Sequence, residues 1–459
     1  MSNKSIGKEV EKTSNICSCF ESVTFNSIRK ALPDSVITKA CAKAGHRYRV
    51  RRVTPVLTVL HMIAAAIWPE DSFVASWQLL WSSFAAAFPC LRRQSPSRGV
   101  VANARKRLPL SVWNKIVAWL CRQSQKHSEP IARWRSHRVV AADGTCLTLS
   151  ATEELCKTFG LSKGNDGVRR YPLARLVCVS LLETMTVINY RLGCYTEDEN
   201  SLLAGMLESL QKGDILVADR HYAGANLYWN YMENGLEYLT QLHQRQIVSR
   251  LKRLWSYCQD DFVAKLKIGD SYRRRNPAMP KYIAARFIRA QAYIRGKHKS
   301  IWLVTSLLDA VQYPADEIAE LYLKRWRIET LFGQLKVNCS VDILRSKTTE
   351  GVRKEVAAGV CAINIVRIIM LEAAAVGKVD LMRISFVGAV RAIIAFAPAL
   401  ALRPVWQLPV IYEAMLAEIA SHLVPERPGR LEPRKVTHDP RGYPKLKTTR
   451  AQWRKQYAA

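Results

Sequence analysis

The spacing of apolar positions along the chain changes character near residue 138. Between residues 20 and 127 apolar side chains recur every three to four positions, most clearly in 55–68, 72–88 and 110–121, with Pro and Ser clusters between them. That period places the apolar side chains on one face of a helix. The first part of the chain is therefore predicted to be helical.

Beyond residue 138, short runs rich in β-branched residues and bounded by turn residues predict strands. These runs lie at 139–143, 174–183, 186–192, 215–219 and 236–242. Helical patterns at 197–211 and 223–234 flank the fourth run, which indicates a mixed α/β sheet rather than a sandwich or barrel. Weaker strand patterns between 244 and 300 predict a β-rich insertion.

Long apolar helices are expected at about 315–337 and 352–375, and two further apolar segments raise the question of a membrane span. Residues 53–68 contain Pro55 and His61, and residues 384–402 contain Arg391 and Pro398. A spanning helix needs about 20 predominantly apolar residues. Both segments are therefore predicted to be buried helices, and no membrane partner is expected.

Charge changes this picture by pointing to a polyanionic partner. Lys and Arg number 69 against 38 Asp and Glu, a formal net charge of +31, and the surplus runs along the whole chain. Such a field attracts nucleic acid. The hydrophobic content of 49% and the 12 Trp residues indicate folded domains rather than a solvating arm.

The ends of the chain and its cysteines bear on location. The N-terminal sequence MSNKSIGKEVEKTSN lacks the apolar stretch of a secretory signal, and the 12 cysteines show no zinc-binding spacing. A cytoplasmic protein with free thiols is expected. Residues 425–459 are strongly basic and are predicted to lie on phosphates or to form a disordered end.

One basic helix in the N-terminal part supports two interpretations. Residues 97–108 carry Arg98, Arg105, Lys106 and Arg107, which would decorate one helix entering a DNA groove. The same residues also suit an ordinary solvated basic face.

Two aspartates end buried strands. Asp143 closes the apolar run VVAAD, and Asp219 closes DILVAD. Apolar runs of this kind are typical of central strands buried on both faces, so the two carboxylates would emerge from one sheet. Taken singly, Asp143 with Gly144 also suits a hairpin turn, and Asp219 also suits a helix cap near Ala223.

A third carboxylate lies on the helix predicted at 315–337. At 100° per residue, Tyr322, Arg325, Glu329 and Lys336 fall within an arc of about 60°. A carboxylate flanked by two cations and a phenol suits a metal held beside phosphate. The alternative is an ordinary amphipathic helix with an Arg325–Glu329 ion pair.

Three motifs together carry a family resemblance. The segment YLKRWRIETLFGQLK (322–336) resembles the Y-x2-R-x3-E-x6-K signature of bacterial insertion-sequence DDE transposases of the IS-four family. Asp143 in VVAADGT, and Asp219 with Arg220 and Tyr222 in LVADRHY, are similar to that family's first two acidic motifs. The similarity covers roughly residues 20–375 and is closest at these motifs.

The resemblance implies a ribonuclease-H-like catalytic fold whose catalytic acids Asp143, Asp219 and Glu329 bind two Mg²⁺ ions, with Mn²⁺ able to substitute. It implies that Tyr322, Arg325 and Lys336 grip the DNA strand end, and Arg220 and Tyr222 are further expected DNA contacts. Trp302 is the nearest match to an insertion-domain tryptophan that stabilises an extruded base, although an ordinary core tryptophan is the alternative interpretation.

The implied activity is metal-dependent cleavage and strand transfer by a cut-and-paste route. The expected partner is double-stranded DNA, both the terminal inverted repeats of the element and the target, handled by a homodimer. No nucleotide cofactor is expected, because GKHKS (296–300) has Gln291 where a phosphate-binding loop needs its first glycine. A metal-dependent nuclease of the same fold and a domesticated DNA-binding regulator are the alternatives.

The predicted architecture therefore has four parts. A helical DNA-binding domain spans 1–127, and a catalytic domain spans 128–375 with its β-rich insertion at about 243–300. A C-terminal helical region spans 376–424, and a basic tail spans 425–459.

Overall fold

A mixed β-sheet organises the computed structural model of the chain. The structure describes residues 26–49, 53–68, 72–78, 81, 95–129, 131, 133–163, 169–243, 248–294, 297–339, 341–342, 344–402 and 405–425. Within these residues the sheet has 11 strands. They are β1 (Arg133–Trp134), β2 (His137–Thr148), β3 (Leu161–Lys163), β4 (Arg169–Leu181), β5 (Val187–Cys194), β6 (Ile215–Ala218), β7 (Glu237–Gln241), β8 (Lys252–Cys258), β9 (Asp261–Lys267), β10 (Tyr282–Ile294) and β11 (Lys297–Thr305).

The central strand is β2, because it joins an antiparallel half of the sheet to a parallel half. On one side β2 pairs antiparallel with β4, which pairs antiparallel with β5. On the other side β2 runs parallel to β6, and β6 runs parallel to β7. This arrangement is the predicted ribonuclease-H-like mixed sheet.

The insertion continues the same sheet. Strand β11 pairs antiparallel with β7, and β10, β9 and β8 follow in order outward from β11. The sequence did not indicate β8, because all seven residues of Lys252–Cys258 are exposed and so show no apolar alternation. The strands predicted from apolar runs are all present, with their ends shifted by a few residues.

Helices cover both faces of the sheet. They are α1 (Asn26–Ala31), α2 (Asp34–Lys43), α3 (Pro55–Ile67), α4 (Arg98–Arg107), α5 (Leu110–Ser128), α6 (Glu153–Phe159), α7 (Glu199–Ala204), α8 (Ala225–Glu233), α9 (Asp270–Arg275), α10 (Ala315–Leu323), α11 (Arg327–Gly333), α12 (Thr349–Gly377), α13 (Phe386–Leu402) and α14 (Leu408–Ser421). The predicted helix at 72–88 and the predicted basic tail fall largely outside the described residues.

Helix α12 is the hub of the helical layer. It packs against α3, α5 and α14, so the N-terminal and C-terminal helices share its core. It is long and apolar enough to cross a membrane, but 89% of its most apolar window is buried inside the protein. Its composition therefore fits a core helix.

A buried ion pair ties the insertion to the segment that leads into α10. Arg286 on β10 is fully buried and donates to both carboxylate oxygens of Asp261 on β9, at 2.7 and 2.5 Å. The same guanidinium donates to the backbone oxygens of Leu307 and Tyr313, at 3.3 and 2.7 Å. One side chain thus satisfies a buried carboxylate and the backbone of the following loop.

We expect Arg286→Ala to lower the free energy of unfolding by about 3–5 kcal/mol, because it leaves Asp261 charged, buried and unpaired. Urea denaturation would measure this loss. Arg289→Ala on the same strand is the matched control, since Arg289 pairs with Asp260 at an exposed position where ion pairs contribute at most about 1 kcal/mol. Equal losses in the two variants would contradict a stabilising role for the buried pair.

Candidate active site

The parallel pairing of β2 with β6 places the two predicted aspartates side by side. Ala142 is the register partner of Ala218, so Asp143 and Asp219 each come directly after a paired residue. Asp143 lies inside β2 and pairs with Cys178 of β4, which excludes the hairpin turn at Asp143 and Gly144. Asp219 directly follows the end of β6 and accepts the His221 backbone N–H at 2.8 Å, which caps the short 3₁₀ turn Arg220–Tyr222.

The electrostatics of Asp143 reflect this crowding. Burial raises the pKa of Asp143 to about 6, and the negative charges of Asp219 and Glu199 act in the same direction. The Gly144 backbone N–H, at 2.8 Å, and the charge of Arg325 oppose the shift. Among the described residues neither aspartate forms an ion pair, so the site carries negative charge that a cation could neutralise.

The third predicted acid approaches from α11, which packs against β2. Glu329 is half exposed, and its Oε1 lies 3.2 Å from Nη2 of Arg325. Over the described part of the chain, no three His, Cys, Asp or Glu side chains lie close enough to hold a metal ion together. The Glu329 carboxylate pairs with Arg325 rather than lying beside the two aspartates as a third ligand.

Arg325 connects the signature helix to the aspartates. Burial alone would lower its pKa, but Tyr322, Glu329, Asp143 and Asp219 together raise it. Its guanidinium carbon lies 5.9 Å from the centre of the Tyr322 ring. The structure therefore brings Asp143, Asp219, Tyr322, Arg325 and Glu329 into one neighbourhood.

The signature segment is not one regular helix. A 3₁₀ turn, Lys324–Trp326, separates α10 from α11, and a π-helical turn, Gln334–Asn338, follows α11. Arg325 lies in the 3₁₀ turn, and its guanidinium lies over the ring of Tyr322 in α10. The constant 100° step behind the predicted arc therefore fails at both turns, and Lys336 lies half-buried in the π turn.

Other cations of the signature segment anchor it to the sheet. Lys324 donates to Glu183 at 2.9 Å, and Arg327 pairs with the other oxygen of that carboxylate. Although burial opposes ionisation, these hydrogen bonds lower the pKa of Glu183. Glu183 follows β4, so the pair fixes the helix that carries Glu329 against the strand next to β2.

Two of the predicted DNA contacts are buried. Tyr222 is 0% exposed and donates its hydroxyl hydrogen to Glu199 at 2.9 Å, so its hydroxyl has a partner within the protein. Tyr322 is 3% exposed and packs beneath Arg325. Arg220, in contrast, is exposed.

Trp302 lies at the same edge of the sheet as the acids but two strands away from β6. Its backbone oxygen accepts the Leu242 N–H at 2.8 Å, just past the end of β7. The half-buried indole packs edge-on against Phe262, with 5.7 Å between ring centres. This packing agrees with the core interpretation of Trp302.

The predicted basic helix also needs correction. Arg105 of α4 turns inward, with its guanidinium carbon 3.5 Å from the centre of the Phe73 ring, so it is not part of an exposed basic face. Arg98, Lys106 and Arg107 remain exposed. Lys354 of α12 donates to the backbone oxygens of Arg105 and Lys106, which holds the C-terminal end of α4 in place.

Glu199 and Arg175 are constituents of the site that the sequence did not indicate. Glu199 forms an ion pair with Arg175 and lies within electrostatic reach of Asp143. Neither residue belongs to an acidic motif, and they lie 24 positions apart. No local pattern in the sequence connects them, and only the fold brings them together.

With this geometry in place, the comparisons with known proteins identify the family. Residues 134–365, half of the chain, match the family model described as the transposase DDE domain. The chain belongs to this family. The family predicted from the three acidic motifs is thereby confirmed, and the matched range contains Asp143, Asp219 and Glu329.

Two individual proteins show similarity over larger parts of the chain. The transposase InsG for insertion sequence element IS4 of Escherichia coli (strain K12) is 24% identical over 278 residues, which is 60% of this chain and 61% of that protein. A piggyBac transposase synaptic complex with hairpin DNA aligns at 12% identity and a TM-score of 0.42, covering 88% of this chain and 86% of the other.

We expect Asp143→Asn to stabilise the protein in the absence of divalent metal. A carboxyl whose pKa is raised by folding binds protons more tightly in the folded chain, so its ionisation costs stability as the pH rises from 3.8 towards 6. At pH 7.5 the gain should be about 2 kcal/mol, after a discount for partial exposure.

Urea denaturation with EDTA, at pH 7.5 and again at pH 5, measures this effect. The difference between Asp143→Asn and the unchanged protein should shrink at pH 5, where part of the aspartate is already protonated. A destabilised variant at pH 7.5 would show that Asp143 is not under electrostatic strain.

Proposed function

We propose that this protein is a DNA transposase that binds the terminal inverted repeats of an insertion sequence and cuts and rejoins DNA by a cut-and-paste route. The observation that carries the proposal is the placement of Asp143 and Asp219 after register partners on parallel strands, facing the Arg325–Glu329 pair. This arrangement lies inside a transposase DDE domain. A bacterial cytoplasmic location follows from this function.

The residues of the site fit divalent cations. Carboxylate oxygens are the ligands that Mg²⁺ prefers in proteins, and burial raises the pKa of Asp143, so its ionised form is poorly solvated in the absence of a cation. Asp143, Asp219 and Glu329 would hold the metal. When bound, two Mg²⁺ ions, or Mn²⁺ in their place, supply an activated oxygen nucleophile, a neutralised phosphate and a stabilised leaving oxygen.

The surrounding cations have distinct tasks in this proposal. Arg325 would hold a phosphate oxygen beside the scissile bond through its guanidinium, which in this structure pairs with Glu329. Exposed Arg220 follows Asp219, and half-buried Lys336 lies in the π turn after α11; in this proposal both hold neighbouring phosphates. Tyr322 keeps Arg325 in place from below.

Overall affinity for DNA comes from charge spread over a wider surface. The proposed DNA-binding part, residues 1–127, presents Arg98, Lys106 and Arg107 on α4. The insertion presents α9 with Arg273, Arg274 and Arg275 in its last turn. Since two element ends must be handled together, we propose that the protein acts as a homodimer in which residues 384–422 contribute to association.

A strand-transfer assay with matched terminal repeats tests the proposed function. Joined products require both cleavage and transfer, so they separate a transposase from a nuclease that only hydrolyses and from a regulator that only binds. Cleaved ends without joined products would support the nuclease, and binding without cleavage would support the regulator.

We expect Asp143→Asn, Asp219→Asn and Glu329→Gln each to reduce cleavage by about a thousandfold or more, because each removes a metal ligand. Single-turnover cleavage of end DNA in Mg²⁺ measures the loss. Glu320→Gln, an exposed acid on the preceding helix, is the matched control and should cleave normally. Retained turnover in any of the three variants would remove that residue from the ligand set.

We expect Lys336→Ala and Arg325→Gln to slow cleavage of pre-bound ends far more than they weaken binding. In the proposal these two side chains hold phosphates next to the acids, whereas many distant cations share the binding of the rest of the DNA. The variant with Arg273, Arg274 and Arg275 changed to Ala should show the reverse pattern.

The comparison requires end-binding affinity and single-turnover rate for all three proteins. Lys336 and Arg325 would be ordinary positive surface if their variants lost affinity and rate in the same proportion as the triple variant.

A further inference from the structure

We propose that Glu199 is a positioning residue that braces both aspartate motifs from the opposite face of the sheet. The inference rests on the proposed function, because it assigns Glu199 a task towards Asp143 and Asp219. It concerns a fourth acidic side chain that does not itself face the proposed metal position.

Both carboxylate oxygens of Glu199 accept hydrogen bonds. Its carboxylate accepts the Tyr222 hydroxyl hydrogen at 2.9 Å through one oxygen and pairs with Arg175 of β4 through the other. Tyr222 ends the 3₁₀ turn that Asp219 caps. Glu199 therefore holds the far end of the turn that begins at the second aspartate.

The Glu199 carboxylate also packs closely against Gly144. A Cβ built on Gly144 would overlap the Glu199 carboxylate, so the carboxylate occupies the volume that any larger residue at position 144 would need. Gly144 directly follows Asp143 in β2. Glu199 therefore packs on the backbone of the first aspartate motif while it hydrogen-bonds to the second.

The sheet separates this brace from the metal side. Gly144 pairs with Val177, whose side chain belongs to the same buried cluster as Tyr222, whereas Asp143 pairs with Cys178 of the cluster beneath α11. Asp143 thus lies on the face of the sheet that α11 covers, and Glu199 lies on the opposite face. The Glu199 side chain is 15% exposed, so it is mostly enclosed by protein.

In this arrangement Glu199 helps to set the distance between Asp143 and Asp219. Strand pairing fixes Ala142 beside Ala218, but Asp219 lies beyond the end of β6 and its direction depends on the turn that follows. Tyr222 hydrogen-bonds to Glu199, and Glu199 packs on Gly144 of β2. These two contacts fix the position of the turn relative to β2. Residues that orient metal ligands in this indirect way typically affect metal affinity by 10–100-fold when removed.

The test is Mn²⁺ binding by the full-length protein, measured by electron paramagnetic resonance without DNA. We expect Glu199→Gln to raise the Mn²⁺ dissociation constant by roughly tenfold, and Tyr222→Phe to raise it by less. The double variant should be no weaker than Glu199→Gln alone, because the two residues act as one unit. Metal-free binding of end DNA should stay unchanged.

Glu197→Gln is the matched control, because Glu197 lies two positions away and also packs against a glycine, Gly193, but does not contact Tyr222. Equal Mn²⁺ affinities for Glu199→Gln and Glu197→Gln would overturn the inference. If Asp219→Asn also bound Mn²⁺ as well as the unchanged protein, the proposed metal site itself would fail instead.

The steric contact has its own test if Glu199→Gln folds poorly. Gly144→Ala should weaken Mn²⁺ binding in the unchanged background but have little further effect when combined with Glu199→Ala, which removes the overlapping carboxylate. Equal effects of Gly144→Ala in both backgrounds would show that Glu199 does not act through residue 144.

Discussion

The register between β2 and β6 is the constraint on which the rest of this structure depends. Pairing Ala142 with Ala218 brings Asp143 and Asp219 together at a partly buried position, where burial and, to a lesser degree, the charge of Asp219 raise the pKa of Asp143. The sheet tolerates this because its apolar core, built on the same strands, fixes the register. Folding therefore stores electrostatic strain at the point where a cation would relieve it.

The positive charge of Arg325 partly offsets the negative charges of the two aspartates. It is nearly buried, it lies within reach of both aspartates, and its hydrogen bond goes to Glu329. The guanidinium thus moderates the charge of the aspartates and holds the third acid in a defined direction. Arg325 therefore links the two aspartates to Glu329 in this structure, while Lys324 and Arg327 anchor the same segment to Glu183.

The sequence predicted those features that depend on short-range patterns. Apolar runs ending in Asp143 and Asp219 indicated central strands, because burial on both faces leaves a continuous hydrophobic signature. The exposed edge strand β8 left no such signature. The inward turn of Arg105 onto Phe73 depends on a residue 32 positions earlier in the chain, and the link between Glu199 and Gly144 crosses the sheet. The interrupted helix around Glu329 also escaped prediction, because a wheel assumes one constant step per residue.

The pairing of β11 with β7 fixes the position of the insertion relative to the rest of the sheet. An insertion joined only by loops could swing to follow the DNA. Here the pairing of β11 with Leu239–Gln241 of β7 places the insertion in the same β-sheet as the acids. Arg286 also hydrogen-bonds to the loop that leads to the signature helix. Distances from the insertion's cations to the acids are therefore set by the protein. If the protein acts as proposed, deformation of the nucleic acid would have to absorb any mismatch, and a duplex that bends or unpairs easily near the element end would be processed more readily than a stiff one.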